Sequence, residues 1–234
     1  MTITVRIPNP SKDLTSGVAV GTASRDELAT LYAADLEHTP YRRNNVVSRD
    51  GVITVNVPAD KVILQAKLVV PGYGHVWITA DNQGRGYGDG ADIDFVREAA
   101  ECRVHEVQAV FDGAGGAFAP SVKALSMLAD ARTLLALAAK AGPAKAAELN
   151  LTSLGAGLWA GDLAAVERAR SRIAAAAQVK RENFLFGCAG FEYPYEKNPA
   201  IKEAFDQVFN YATLPFYLGR VEPEKGKPDY PTLE

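Results

Sequence analysis

Cysteine and histidine are scarce in this sequence, with two cysteines and three histidines among 234 residues. Cys102 and Cys188 lie far apart and neither belongs to a C-x-x-C pair, which excludes a disulfide framework and a cysteine-based zinc site. His38, His75 and His105 share no spacing typical of metal ligands. We therefore expect no metal and no cofactor, and two buried thiols, because free cysteine behaves as a small apolar side chain.

Long hydrophobic runs are also missing. No stretch reaches the roughly 18 apolar residues of a transmembrane helix, and MTITVRIPNP lacks the charged segment and apolar core of a signal peptide. A net charge of −3 gives no reason to expect nucleic acid or a membrane surface as partner. We expect a soluble, cytoplasmic protein, or a secreted one if a leader precedes this sequence.

The common catalytic motifs are absent: there is no G-x-S-x-G, P-loop, H-E-x-x-H or C-x-x-C pattern. One loop, DNQGRGYGDGAD, has Gly86, Gly88 and Ala91 in the G-x-G-x-x-A spacing of a dinucleotide-binding turn. The strands before it are predicted to be antiparallel, and no acidic residue ends a second parallel strand. These two points favour a plain connecting loop over a nucleotide site.

The same loop is rich in oxygen ligands that suit calcium, although their spacing does not match an EF-hand. The alternative, which the spacing favours, is a solvated acidic loop in which Asp92 caps the following helix. Both interpretations concern the same side chains: Asp81, Asn82, Asp89, Asp92 and Asp94.

Residues 1–88 carry mainly β patterns. TITVRI and DGVITVNVP alternate in polarity, and KVILQAKLVVP and HVWITAD flank a Pro71-Gly72 turn, which predicts a hairpin. Residues 24–36 instead predict a helix, opened by a capping box of Ser24 and Glu27. We expect a small antiparallel β-sandwich with one inserted helix.

Residues 89–182 are rich in alanine and predict a helical connector. Three antiparallel helices are expected, over 92–111, over 120–140 with Gly142-Pro143 as its stop signal, and from the cap Asp162 toward Val179.

Residues 183–234 predict a strand, a helix over 200–209 and a second strand, most simply a parallel pair with a crossover. In such units the chemistry lies beyond the carboxyl ends of the strands. The side chains expected there are candidate substrate contacts: Phe191, Glu192, Tyr193, Tyr217 and Arg220.

Three aromatic residues lie close together in sequence at the end of the β region: Tyr73, Trp77 and Tyr87. Sugar rings stack on aromatic side chains because their axial C–H faces are apolar, so these three are candidates for a carbohydrate platform. The alternative is that Trp77 is a core tryptophan of its strand.

The C-terminal residues resemble a known family. FNYATLPFYLGRVEPEKGKPDY resembles the second barrel strand and following loop of family-ten glycoside hydrolases, the xylanase type, and especially of their large bacterial relatives. FGCAGFEYP is similar to their first barrel strand. Phe209-Asn210, Glu222-Pro223 and Gly226 are the most specific matches, whereas Tyr217 and Leu218 stand where these xylanases have a sugar-contacting Lys-Trp pair.

The patterns predict an α+β chain with a β-sandwich-like domain over 1–88 and a helical connector over 89–182, and the resemblance implies the start of a (β/α)8 barrel over 183–234. It implies the N-terminal part of a xylanase-like hydrolase that cleaves β-1,4-linked plant polysaccharide with retention. The family's two catalytic carboxylates lie on its fourth and seventh strands, so we expect no catalytic residue and no glycosidase activity in this stretch. The alternative is a non-catalytic carbohydrate-binding or scaffold module, and a homodimer could cover the barrel strands.

Overall fold

The computed structural model of the chain forms two compact units, Met1–Ala176 and Ala177–Glu234. Both contain helices and strands, so the predicted α+β class is confirmed. The structure describes residues 1–7, 31–41, 45–49, 52–113, 118–176, 183–189, 199–213, 222 and 224–228.

Within the described residues of the first unit there are two sheets and three helices. Its strands and helices are, in chain order, β1 Thr2–Arg6, β2 Tyr32–Ala34, β3 Asn45–Arg49, β4 Val52–Asn56, β5 Ile63–Val70, β6 Gly74–Ala80, β7 Asp92–Asp94, α1 Phe95–Asp112, α2 Val122–Ala138 and α3 Pro143–Ala175.

One sheet has the order β3-β4-β1-β7, in which β1 pairs antiparallel with β4 and parallel with β7. Alternation explains β1 and β4, because Ile3, Val5, Ile53 and Val55 all point into the core. The predicted helix start at Asp92 is wrong. Asp92–Asp94 add an edge strand to β1, and Asp94 caps α1 by accepting a hydrogen bond from the backbone N–H of Arg97 at 3.1 Å.

The other sheet has the order β2-β5-β6, and β5 and β6 form the predicted antiparallel hairpin. Strand β2 replaces the last part of the helix predicted over 24–36; residues 24–30 of that prediction lie outside the described residues. Pairing with β5 provides hydrogen-bond partners for the backbone groups of β2 and buries Ala33 opposite Leu64. This long-range pairing overrides the local helical pattern.

The helices begin and end close to their predicted positions except α3. Gly142-Pro143 stops the second helix, as predicted, but Pro143 also begins the third one, because proline is tolerated where the first N–H has no helical partner. Asp162 therefore lies inside α3 and is not its cap. Residues 143–161 of α3 are absent from the prediction.

The helix directions agree with expectation. α2 and α3 are antiparallel, since Ser121 N–H bonds Glu167 Oε2 at 2.9 Å and Ser153 Oγ donates to the Ala131 carbonyl at 2.8 Å. α1 and α3 run in the same direction, because Gly157 packs on Arg103 and Gly161 packs on Val107. Successive helices are therefore antiparallel, as predicted.

The main core of this unit is built from both sheets and from the helices. Ile53, Leu64, Phe95 and Leu154 are all buried in one cluster. Burial of this apolar surface is the main contribution to stability, at about 25 cal/mol per Å². The domain boundary predicted at residue 88 remains a prediction. Residues before and after position 88 pack in the same core cluster.

The second unit contains β8 Gly187–Ala189, α4 Pro199–Val208 and β9 Tyr211–Thr213. The strands are parallel and α4 lies between them in sequence, so the predicted strand, helix and strand are confirmed. Gly187 is required here, because a Cβ atom at this position would lie 1.9 Å from the Tyr211 carbonyl oxygen. No closed barrel is formed by the residues that the structure describes.

Cys102 is buried as predicted, but the prediction is wrong for Cys188, which is exposed. The reason is its position in β8, a strand of a two-stranded sheet in which Gly187 and Tyr211 are exposed as well. Within the described ranges, no helix has the length and apolar character needed to cross a membrane.

Candidate functional site

The outer surface of the β2-β5-β6 sheet is the candidate functional site. Even-numbered residues of β5 point into the core, so Gln65, Lys67 and Val69 point the other way, as do their partners Thr79, Trp77 and His75 on β6. We call this surface the open sheet face; it consists of Tyr32, Gln65, Lys67, Val69, His75, Trp77 and Thr79. At its margin Ala34 and Ile63 are buried, so the accessible part is the one around Trp77.

Trp77 is the largest exposed side chain on the open sheet face, with 54% of its surface accessible. Its ring packs against Tyr32 with centroids 5.7 Å apart and planes inclined by 59°. Lys67 lies directly opposite Trp77 in the strand register. The interpretation of Trp77 as a core tryptophan therefore does not describe this position, because the side chain projects from the sheet into solvent.

A polar chain holds the tyrosine of this pair. The hydroxyl of Tyr32 donates to Gln65 Oε1, and Gln65 Nε2 lies 2.9 Å from His38 Nδ1. His38 sits in the turn after β2 with a left-handed backbone, φ 67°. Asp35 supports that turn through Oδ1, which accepts from the N–H groups of Glu37 at 3.0 Å and Thr39 at 2.7 Å.

Tyr73 lies at the hairpin tip and faces α3. Its hydroxyl donates to Asp162 Oδ2 at 2.7 Å, and its ring meets the edge of Trp159 with centroids 5.1 Å apart. Hydrogen bonding to Asp162 raises the pKa of Tyr73, with burial adding to the effect. Trp159 also donates through Nε1 to the Gly72 carbonyl at 3.2 Å. These contacts fasten the hairpin tip to α3.

Tyr87 is buried, with 7% of its surface accessible. Its backbone exchanges two hydrogen bonds with Val62, its hydroxyl donates to Glu98 Oε2 at 3.0 Å, and the same oxygen accepts from the Asn82 N–H at 3.2 Å. Burial raises the pKa of Tyr87, and the neighbouring Glu98 adds to the shift. The side chain is a packed link between the loop and α1.

The three aromatic residues proposed as a platform are thus not brought together. Trp77 is on the open sheet face, Tyr73 is at the hairpin tip and Tyr87 is in the core. The predicted contacts of the barrel-like segment, Phe191, Glu192, Tyr193, Tyr217 and Arg220, lie outside the described residues.

Sequence reasoning missed Tyr32 and Gln65 as members of the site. The alternation in KVILQAKLVV could have placed Gln65 and Lys67 on one face, opposite the face with Leu64 and Leu68. Tyr32 gave no such signal, because its strand has three residues and lies in a segment with a helical pattern. Its position depends on pairing with a strand more than thirty residues away.

The glycine-rich loop has its own internal structure. Gly86 has φ 67°, and a Cβ atom there would lie 2.8 Å from Leu36 Cδ2 and 3.1 Å from the Val62 carbonyl, so close packing explains this glycine. Strand β7 separates the loop from α1, so these glycines do not lead directly into a helix N-terminus. The arrangement does not favour a dinucleotide turn.

The acidic side chains of the loop make separate local bonds. Asp89 Oδ1 accepts from the Thr2 N–H at 2.6 Å, Asp92 pairs with Arg6, Asn82 Nδ2 donates to the Gly86 carbonyl at 3.0 Å, and Asp94 caps α1. Across the described residues, no three His, Cys, Asp or Glu side chains come together as they would around a metal ion.

Several buried or half-buried ionisable groups lie in the first half of α1 and at its N-cap. Burial raises the pKa of Asp94 and of Glu101, and in Glu101 the charge of Glu98 adds to the effect. Burial also raises the pKa of Cys102 to about 12, and its hydrogen bond to Asp81 contributes. A thiol held protonated in this way is a poor nucleophile.

A shallow groove of about 410 Å³ lies between α1 and α3. Its lining is apolar apart from two arginines and offers no carboxylate, hydroxyl or imidazole: Val110, Gly161, Ala165, Arg168, Ala169, Arg172 and Ile173. It therefore supplies no acid, base or nucleophile.

Comparison with family models, with curated proteins and with solved structures finds no match to this chain. The open sheet face and its chemistry are therefore the basis for the functional proposal.

Proposed function

We propose that the open sheet face binds carbohydrate, with Trp77 as the residue on which a sugar ring stacks. The single observation that carries this proposal is the exposure of Trp77 beside Tyr32 on a regular strand surface. A large aromatic ring standing in solvent is informative, because such side chains are usually largely buried. Its apolar face suits the C–H face of a pyranose ring.

Polar groups around the aromatic pair could bond the hydroxyls of the same sugar. Gln65 offers an amide, Thr79 a hydroxyl and His75 an imidazole, all on the same face as Trp77. Ligand sites commonly combine an apolar surface with a few polar groups that set orientation. The open sheet face meets this description without a deep pocket, which favours a chain-like polysaccharide over a small enclosed ligand.

The expected affinity is weak. An aromatic contact contributes about 0.5–1.5 kcal/mol beyond area burial, and two inclined rings offer at best two such contacts. With a cost of several kcal/mol for association, the dissociation constant should be sub-millimolar at best.

The wider proposal concerns the type of protein. We infer a non-catalytic N-terminal part of a xylanase-like glycoside hydrolase that acts on β-1,4-linked plant polysaccharide. The parallel β8-β9 pair with its intervening α4 supports it, since a (β/α) barrel begins in this way. In this proposal the two sheets of the first unit are a sandwich-like leader, and β8 and β9 are the opening barrel strands. The alternative is a leader that only supports the barrel.

Catalysis by this stretch is not expected. A glycosidase needs two carboxylates that flank the scissile bond, and the candidates near the predicted strand ends are Glu192 and Glu222. Glu222 Oε1 accepts a hydrogen bond from the Gly226 N–H and so organises its own turn. Release of reducing sugar from xylan that disappears in Glu192→Gln would contradict this expectation.

Affinity electrophoresis in gels containing xylan, glucan or mannan tests the binding proposal. We expect the wild-type protein to be retarded by at least one of these polysaccharides, and Trp77→Ala to lose the retardation while Tm changes little. Trp159→Ala is the matched control, because Trp159 is similarly exposed, at 47%, but faces the hairpin tip. It should keep the retardation and lower Tm.

Two results would overturn the binding proposal. One is a wild-type protein that none of the three polysaccharides retards. The other is a Trp77→Ala variant that is retarded like the wild type. A steep fall of Tm in Trp77→Ala, without wild-type retardation, would favour the structural leader instead.

A further inference from the structure

The side-chain amide of Gln65 lies between Tyr32 and His38, which have different roles in hydrogen bonding. One end of the amide meets the Tyr32 hydroxyl and the other meets His38 Nδ1. A carboxamide has one accepting end and one donating end, so only two orientations can bond both neighbours.

The hydrogen bond to the histidine assigns a role to each atom. Gln65 Nε2 can only donate, so His38 Nδ1 accepts, which is its role when the ring carries its proton on Nε2. At the other end Gln65 Oε1 accepts the proton of the Tyr32 hydroxyl. In this state the Tyr32 O–H group is directed to Gln65 and is not available to a ligand.

A protonated His38 requires the reverse orientation, because both ring nitrogens of an imidazolium are donors. Gln65 Oε1 must then turn to His38 Nδ1, and Nε2 turns to the Tyr32 oxygen, which becomes an acceptor. The Tyr32 O–H bond is released and can point away from Gln65 toward a molecule that lies on Trp77.

We propose that protonation of His38 makes the Tyr32 hydroxyl a donor to bound sugar, so that carbohydrate binding at the open sheet face strengthens as the pH falls. This inference rests on the proposed function of that face. The other charged or titratable groups of the open sheet face and of the turn that carries His38 are Lys67 on β5, His75 on β6, and Asp35 and Glu37 in the turn.

The test is the dissociation constant for the polysaccharide that retards the protein, measured at pH 8 and at pH 5. One released hydrogen-bond donor predicts about two- to tenfold tighter binding at pH 5. His38→Gln should abolish this difference, since glutamine bonds Gln65 at either pH. His105→Gln, at an exposed position of α1 that is not part of the open sheet face, is the matched control and should keep it, whereas Tyr32→Phe should lose it.

A second measurement keeps this inference separate from the proposed function. In ¹⁵N NMR spectra of the unliganded protein, the Gln65 side-chain amide resonances should differ between pH 8 and pH 5 in the wild type, and they should not differ in His38→Gln. Absence of binding at any pH overturns the carbohydrate proposal and, with it, the effect on binding. Three results would overturn the role of His38 alone: binding that is equal at both pH values, a pH effect that His105→Gln removes, or Gln65 resonances that behave in the same way with and without His38.

Discussion

The hydroxyl of Tyr87 donates a hydrogen bond to Glu98 Oε2 at 3.0 Å, which joins the glycine-rich loop to the first turn of α1. The same oxygen accepts from the Asn82 N–H at 3.2 Å, so one phenol connects two elements. An aromatic residue in a glycine-rich loop is therefore here a structural link. Trp77, ten residues earlier in the chain, is instead exposed to solvent.

Tyr87→Phe should lower the free energy of unfolding by about 1–3 kcal/mol, because it removes both hydrogen bonds of a buried hydroxyl and leaves the Asn82 N–H without this partner. Denaturant unfolding measures the change. The control is Tyr211→Phe, an exposed tyrosine of β9 for which a change below about 0.5 kcal/mol is expected. Equal effects of the two substitutions would contradict this interpretation.

Asp94 predicts a pH dependence of stability. Burial raises its pKa above the ordinary value of 3.8, so the folded state holds this proton more tightly than the unfolded chain. This tighter proton binding stabilises the folded state below pH 3.8, and the stabilisation is lost as the pH rises through the raised pKa.

Asp94→Asn should remove this dependence while keeping the helix cap, because asparagine caps helices as well as aspartate does. The measurement is the difference in unfolding free energy between wild type and variant, followed from pH 3 to pH 8. Asp130→Asn, an exposed position on α2, serves as control. A difference curve that is flat for Asp94→Asn, or equally steep for Asp130→Asn, would count against the prediction.

The two cysteines should differ in reactivity. The Cys102 thiol is buried and its pKa is raised to about 12, whereas Cys188 is exposed on β8. Iodoacetamide at pH 8 should label Cys188 in the folded protein and both residues after denaturation, as peptide mass spectrometry would show. Fast labelling of Cys102 under native conditions would mean that the start of α1 opens readily.

Self-association is expected from the second unit. Phe184 and Phe186 are 56% and 51% exposed, and the β8-β9 pair is a parallel sheet, a type that is normally covered on both faces. Leu214 and Phe216, which belong to the same predicted apolar surface, lie outside the described residues. We expect a dimer whose population grows with concentration in sedimentation velocity.

Phe184→Ser should shift that equilibrium toward the monomer. Val122→Ser, at an apolar position that is 84% exposed at the start of α2, is the control and should leave the equilibrium unchanged. A wild-type protein that sediments as a monomer at all concentrations, with Phe184 open to solvent, would rule out the dimer.

Much of the local structure was predictable. Alternation in VITVN and in ILQAKLVV marked β4 and β5, and apolar spacing marked α1, α2 and α4. The predictions that failed concern β2, β7 at the predicted start of α1, and the start of α3. The short strand Tyr32–Ala34 lies in a segment with a helical pattern. The buried side of the first half of α3 includes small and polar residues, such as Asn150, Ser153 and Gly157, and so lacks a continuous apolar stripe.

The candidate site shows the same division. The sequence predicted Trp77 as a candidate site residue. Trp77 points outward because it pairs with Lys67, which lies on the face of β5 opposite the buried Leu64 and Leu68. The sequence could not separate Trp77 from Tyr73 and Tyr87, because all three are aromatic residues near one turn and one loop. Their environments differ because Tyr87 contacts Glu98 at the start of α1, whereas Tyr73 contacts Trp159 of α3, far along the chain.

By itself the sequence determined the α+β class, the β5-β6 hairpin and the strand, helix and strand of the second unit, because these depend on residues that are neighbours or on repeats of two and 3.6. Only the tertiary structure decided that Tyr32 and Gln65 join Trp77 and that Tyr87 is buried. The physical reason is that β2 pairs with β5 across the segment that contains β3 and β4, and that Tyr87 meets Glu98 across β7. These hydrogen bonds and this burial follow no repeat of two or 3.6 residues.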